Sequence, residues 1–239
     1  MPNYFCHEHP DILTLETEVV DRRPDAVVLR QSPFHPGGGG QLPDRGILRW
    51  GDADLAVTGF EWQDGRLWHR LADEQPATDL LVACVDPAFR CMMSELHTAT
   101  HILNALVYRA FDGALVTSAQ MNDDDTARMD FDLPEADNDR LRALEAEINA
   151  LIARDLPVTY EYISLSDAQA VHGLIRSKSV APPPDEAGAV RIVQIGDLDR
   201  QACGGCHLAS TGLSRPIRIL KVENKGRHNR RVKIGMVAR

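Results

Sequence analysis

The chain has 239 residues, 44% of them hydrophobic, enough to bury a full core in one large or two small domains, and two are expected. No stretch approaches the ~18 uninterrupted apolar residues of a membrane helix, which excludes a helical membrane protein. The net charge of −9 disfavours binding nucleic acid through the overall field, while an odd count of 5 cysteines and an opening without the pattern of a signal peptide point to the reducing cytoplasm.

The first third reads as strands. Thr17 to Val20 and Ala26 to Leu29 are rich in β-formers, Leu55 to Phe60 alternates, and Gln63-Asp64-Gly65-Arg66 reads as a hairpin turn before Leu67 and Trp68. These strands are expected to close into a small barrel. Asp86-Pro87 then interrupts the pattern, and a helix is expected over Met92 to Phe111 with Leu96, Ala99, Leu103, Leu106, Val107 and Ala110 on its buried stripe. His97, His101, Asn104 and Tyr108 fall on an adjacent stripe.

A second helix is expected from Asp137 to Asp155, with Leu141, Leu144, Ile148, Leu151 and Ile152 inward and a stop before Pro157. Val158 to Ile163 reads as a strand, Ser166 opens a short helix ending near Gly173, and Ala181-Pro182-Pro183-Pro184-Asp185-Glu186 reads as a loop. Val190 to Ile195 and Ile217 to Val222 are further strands. Strands mixed with helices, many following one another directly, imply an α+β fold: an N-terminal β-barrel domain over residues 1–88 and a two-layer domain over 89–239.

Charge is unevenly spread. From Ser214 onward there are 9 Lys or Arg against one acid, Glu223, a local charge of +8 on a body of −17. One reading is a solvated strand. The other is a phosphate-binding surface built from Arg227, Arg230, Arg231 and Lys233.

Two steps of four residues carry metal chemistry. His97-Thr98-Ala99-Thr100-His101 puts two imidazoles on one helix face, and Cys203-Gly204-Gly205-Cys206-His207 brings a thiolate and a third imidazole if the chain folds back. With 9 histidines in the chain, the first step alone could be two surface residues. Together, three imidazoles and a thiolate suit zinc. Cys206 is a second thiol that could compete for the ion or form a redox-sensitive pair, and we read it as inert because Cys203 and His207 already supply the ligands.

Four motifs in one order carry a family resemblance: Pro33-Phe34-His35-Pro36-Gly37-Gly38-Gly39-Gly40-Gln41 with Asp44-Arg45-Gly46, the two steps above, and Lys225-Gly226-Arg227-His228-Asn229-Arg230-Arg231-Val232. The chain resembles the AlaX-type alanyl-tRNA editing proteins of medium length, freestanding relatives of the editing domain of alanyl-tRNA synthetase, from Leu13 to Val232. The resemblance implies a β-barrel before a zinc-containing editing domain, and a deacylase that hydrolyses the ester of mischarged tRNA, such as Ser-tRNA(Ala) or Gly-tRNA(Ala), at its acceptor end. It implies one zinc ion held by His97, His101, Cys203 and His207. Gln41 matches a glutamine beside the editing pocket and off the metal, although it could be only a turn residue. Thr117 or Ser118 falls where the family has a hydroxyl that contacts the substrate side chain, although either could only cross-link a strand. Tyr4-Phe5-Cys6-His7-Glu8-His9 matches an ordinary opening strand rather than a second metal cluster.

The family usually has Thr where this chain has Cys206, which leaves open a deacylase redirected to another amino acid, such as fluorothreonyl-tRNA. Four protein ligands ordinarily make a closed structural site, so a non-catalytic zinc-stabilised tRNA-binding module is the alternative class. A zinc peptidase is disfavoured because no Glu follows His97.

Overall fold

The computed structural model describes residues 4–134, 137–177, 184–185 and 187–238. The chain divides into two compact units, one formed by Asn3–Gly38 with Leu42–Cys91 and the other containing Gly39–Gln41 with Met92–Arg239. Of the expected loop at 181–186, only Pro184 and Asp185 are described; the rest lies outside the described residues.

In the first unit, helix α1 (Phe5–Glu8) precedes strands β1 (Thr14–Arg23), β2 (Ala26–Leu29), β3 (Gly46–Trp50), β4 (Ala53–Gln63), β5 (Arg66–Leu71) and β6 (Leu80–Val85). The six strands close in the order β1-β2-β5-β4-β3-β6, which leaves no open edge. Alternation explains the closure: Val19, Val27, Leu48, Trp50, Val57, Leu71, Leu81, Ala83 and Val85 turn into one core around Phe34. The Asp64-Gly65 turn has φ of 52° and 73°, the left-handed pair that matches the twist of a two-residue hairpin.

Two expectations are corrected by this unit. Tyr4 to His9 does not open as a strand, because His7 N–H donates to Tyr4 O (2.8 Å) and His9 N–H to Phe5 O (2.9 Å), closing a helical turn. Asp86-Pro87 ends the strand pattern as expected, but it also begins helix α2 (Pro87–Ala110), five residues before the expected start. Asp86 Oδ1 accepts the N–H of Ala88 (2.9 Å) and of Phe89 (3.2 Å), and proline is tolerated in the first turn, where no intrahelical partner awaits its nitrogen. Arg90, in the next turn, is buried against Asp44 and donates to Pro33 O at 2.8 Å, which ties the helix to both ends of the glycine-rich segment.

The remaining elements are β7 (Val116–Met121), β8 (Thr126–Asp132), α3 (Asn138–Arg142), α4 (Leu144–Ala153), β9 (Val158–Ser164), α5 (Leu165–Ala170), β10 (Ala189–Ile195), β11 (Asp199–Ala202), β12 (Ile217–Lys225) and β13 (Asn229–Met236). They build two antiparallel sheets, β12-β13-β8-β7 and β11-β10-β9. The single helix expected over 137–155 is two, capped by Asp137 and broken at Ala143, whose N–H is shared by the Asp139 and Leu141 carbonyls. Along the outer edge of β12, Asn149 Nδ2 donates to Ile217 O at 2.9 Å and its Oδ1 accepts from Ile217 N–H at 2.8 Å, while Glu145 accepts from Ile219 N–H at 2.7 Å. Among the described residues, no helix is long and apolar enough to cross a membrane.

Candidate metal centre

Helix α2 places His97 and His101 one turn apart on a face where both side chains are buried. Cys203 and His207 come from the loop that leaves β11. The four side chains each bring one ligating atom to within 4.8 Å of the others. Cys203 Sγ lies 3.4 Å from His97 Nε2 and 3.3 Å from His207 Nε2.

The loop reaches this geometry because Gly205 lacks a side chain. A Cβ there would collide with the His97 ring and stand 2.7 Å from Gln41 Oε1. Arg191 holds the loop from behind, its Nη1 donating to Cys203 O (3.1 Å) and Gly205 O (3.0 Å). The Gly205 N–H in turn points at the Cys203 sulfur, 3.4 Å away.

Each imidazole has its outward nitrogen engaged. Gln41 Oε1 accepts from Cys206 N–H at 2.9 Å; a backbone N–H can only donate, so the oxygen of Gln41 faces it, and His97 Nδ1, also 2.9 Å from that oxygen, must carry its proton. His101 Nδ1 lies 3.2 Å from Asp199 Oδ2, and that carboxylate is also held by Arg176 (2.7 Å) and Gln201 (2.8 Å). His207 Nδ1 stands 3.3 Å from Thr98 Oγ1. The proton on the outer nitrogen of His97 leaves a lone pair on its inner one, the arrangement that a metal-binding imidazole requires, whereas His101 Nδ1 stands between Asp199 Oδ2 and Gln201 Nε2, the latter 3.0 Å away.

Electrostatics favour a thiolate at Cys203 and a neutral imidazole at His207, whereas His101 is held toward its charged form. Burial pushes the Cys203 thiol up, but His97, His101 and His207 more than offset it and hold the thiol well below its usual range. Desolvation, together with the neighbouring His97 and His101, holds His207 well below the usual imidazole value, against the pull of Cys203. Burial opposes charge on His101, yet Cys203 and Asp199 raise it to about 9. One thiolate among three imidazoles has the composition of a site that could hold a metal ion.

The sequence-derived residues do not all meet. Gln41 does reach the cluster, where its side-chain oxygen touches His97. Thr117 Oγ1 lies 3.2 Å from Asp130 O and 3.3 Å from Asn229 Oδ1, and Ser118 pairs with Asp130 across β7 and β8. Arg227 is exposed in the β12–β13 turn. Arg230 and Arg231 cannot share a surface, because consecutive strand residues face opposite ways. Arg230 is 8% exposed and donates to Pro134 O at 3.0 Å, whereas Arg231 makes two 2.7 Å bonds to Asp130 on the other face. Cys206 is buried but is not one of the four clustered side chains. Asp199, Gln201, Thr98 and Arg191 escaped the sequence reading. Asp199, Gln201 and Cys203 recur at a period of two, which puts them on one strand face and was the available signal.

A buried thiolate–imidazole cluster set between a helix and a strand loop, in a chain whose residues 190–233 match the profile described as the second additional domain of threonyl and alanyl tRNA synthetases, defines a tRNA-synthetase-type accessory domain. The alanyl-tRNA editing protein AlaX-M of Saccharolobus solfataricus is 31% identical over 226 residues, covering 92% of this chain and 93% of that protein. AlaX-M of Methanosarcina barkeri is 33% identical over 88% of each chain. The chain therefore belongs to the AlaX-M family of alanyl-tRNA editing proteins. It is also similar to the alanine–tRNA ligase of Methanopyrus kandleri, 32% identical over 81% of this chain, and spans 21% of that ligase's length.

Proposed function

We propose that the protein is a trans-editing deacylase that hydrolyses the aminoacyl ester of mischarged tRNA, with Ser-tRNA(Ala), Gly-tRNA(Ala) or both as substrates. The observation that carries this reading is the four-residue cluster with its outward nitrogens engaged, in a chain that matches AlaX-M over nearly its full length. Residues 89–239 would hold the reaction, and residues 1–88 would contribute the barrel and the glycine-rich segment that delivers Gln41.

The donor set of His97, His101, Cys203 and His207 fits zinc, one ion per chain. When bound, the ion supplies a Lewis acid at the ester carbonyl or lowers the pKa of water beside it. Gln41 Oε1 is committed to His97 and Cys206, but its Nε2 is buried without a hydrogen-bond partner. That orphaned donor is suited to a substrate oxygen, since an unpaired buried amide costs about 1–3 kcal/mol until something accepts from it. Thr117 and Ser118 remain the candidate hydroxyls for the substrate side chain.

A second hydrolytic site has a chemical rationale, because a pocket that accepts alanine cannot strongly reject glycine or near-isosteric serine by binding alone. Deacylation of tRNAs charged with Ser, Gly, Ala and Thr tests the reading: release of Ser or Gly with Ala spared supports it. The completed set of four protein donors favours one rival, a non-catalytic zinc-stabilised tRNA-binding module. Zinc-loaded protein that binds tRNA but releases no amino acid from any of the four would establish that rival instead.

A further inference from the structure

We propose that the open face of the β12-β13-β8-β7 sheet is the RNA-docking surface, organised around one row of cations: Lys221, Lys233 and Arg128. The inference rests on the reading that the substrate is a tRNA.

Strand register makes the row. Lys221 pairs with Lys233, Lys233 with Arg128, and Arg128 with Gln120, so three positive side chains stand directly opposite one another on three successive strands, spanning about 10 Å. Like charges directly opposite in an antiparallel sheet destabilise it. The neighbouring row shows the usual arrangement: Glu223, Arg231, Asp130 and Ser118 alternate in sign, with Arg231 bonded to Asp130. The cationic row is thus an exception, which the acids of the next row, Glu223 and Asp130, offset only in part.

The two lysines are also available. Lys221 is 63% exposed and its contact with Glu223 is a surface pair, of a kind worth ~0–1 kcal/mol and readily exchanged. Arg128 leans on Gln120 and Asp130, whereas Lys233 makes no ion pair among the described residues. Lys225 and Arg227 extend the positive charge to the hairpin tip. The opposite face is closed, because Val222, Val232, Ile234, Ala127 and Met129 are buried there.

The row points toward the metal centre. It ends at Gln120; the neighbouring Met121 N–H donates to Gly40 O at 2.7 Å, and a Cβ on Gly40 would stand 2.7 Å from the Ala119 carbonyl carbon. The next residue, Gln41, touches His97. A phosphate backbone lying along this face would therefore lead the acceptor end toward the cluster, and its charge would relieve the repulsion within the row.

The test measures binding of an uncharged acceptor-stem RNA hairpin against salt concentration, for the full chain and for Lys221→Ala/Lys233→Ala. The expected result is a loss of about two units of salt slope, so that raising salt from about 50 to 200 mM costs roughly tenfold less affinity than in the parent, with zinc content unchanged and thermal unfolding at no lower temperature. Arg230→Ala, on the closed face, should leave the slope as it is. An unchanged slope in the double variant, or an equal loss in Arg230→Ala, overturns the proposal. Continued deacylation by the parent in the same preparation would show that the catalytic reading survives that failure.

Discussion

The side-chain oxygen of Gln41 lies 2.9 Å from Nδ1 of His97, a residue 56 positions further along the chain. This bond decides which ring nitrogen of His97 carries the proton. The same oxygen accepts from the backbone of Cys206, so the glycine-rich segment, the helix and the late loop meet at one atom.

Gln41→Ala should therefore do more than slow turnover. Removing a partner of a ligand histidine typically weakens metal affinity by about 10–100-fold, and that loss is expected in competition against a zinc chelator. Gln41→Glu, which keeps the acceptor, should restore most of the affinity. Unaltered zinc retention in the alanine variant would show that Gln41 does not hold His97 for the metal.

The four candidate ligands come from both halves of the second unit, so neither half should suffice. His97→Ala and Cys203→Ala are each expected to lose the copurified ion and all deacylation, and chelation of the parent followed by zinc addition should remove and restore both. Full activity of metal-free protein would falsify the assignment.

Asp199 acts through His101 rather than on substrate. Its side chain is fully buried and bonded to His101, Gln201 and Arg176. Asp199→Asn should weaken zinc binding by about 10–100-fold, and Arg176→Gln, which leaves the carboxylate on His101 while giving up the Arg176 contacts to Gly173 O and Tyr108, by less. Equal retention in both variants and the parent would leave Asp199 a purely structural anchor.

His69, inside the barrel unit, is 1% exposed with Ser32 Oγ 2.7 Å from its Nε2, and burial lowers its pKa from 6.5 to about 4. The unfolded chain takes up a proton below pH 6.5 that the folded chain refuses until about pH 4. Stability is thus fully present above the higher value and falls as pH drops between the two, by ~3 kcal/mol in all. Unfolding measured over that window should show this slope for the parent and a flatter one for His69→Gln.

Much of the site was legible because its signal is local. An i, i+4 pair of histidines on a patterned helix and a Cys/His step around two glycines single out the four side chains that the folded chain brings together. The outer partners were not legible, since the bond from Asp199 to His101 crosses 98 residues and only the folded chain shows it. Strands β3 and β6 were missed because short apolar runs such as Leu80–Val85 fit a buried helix as well as a strand. The early start of α2 was hidden for another reason: a residue pair that ends a strand pattern can also start a helix.

The side chains of Asn149 and Glu145 along β12 bear on how the molecule behaves in a crowd. β12 is the last strand of its sheet, and an exposed last strand offers a row of unmet N–H and C=O groups to any other chain in extended form. Three of those groups are already taken by α4: both at Ile217 and the N–H of Ile219. A bulge between Ile219 and Lys221 then shifts the register of the rest of the strand. At that end, an incoming strand would find neither donors nor a straight template, so the sheet is guarded against growing by addition, while its cationic face stays open.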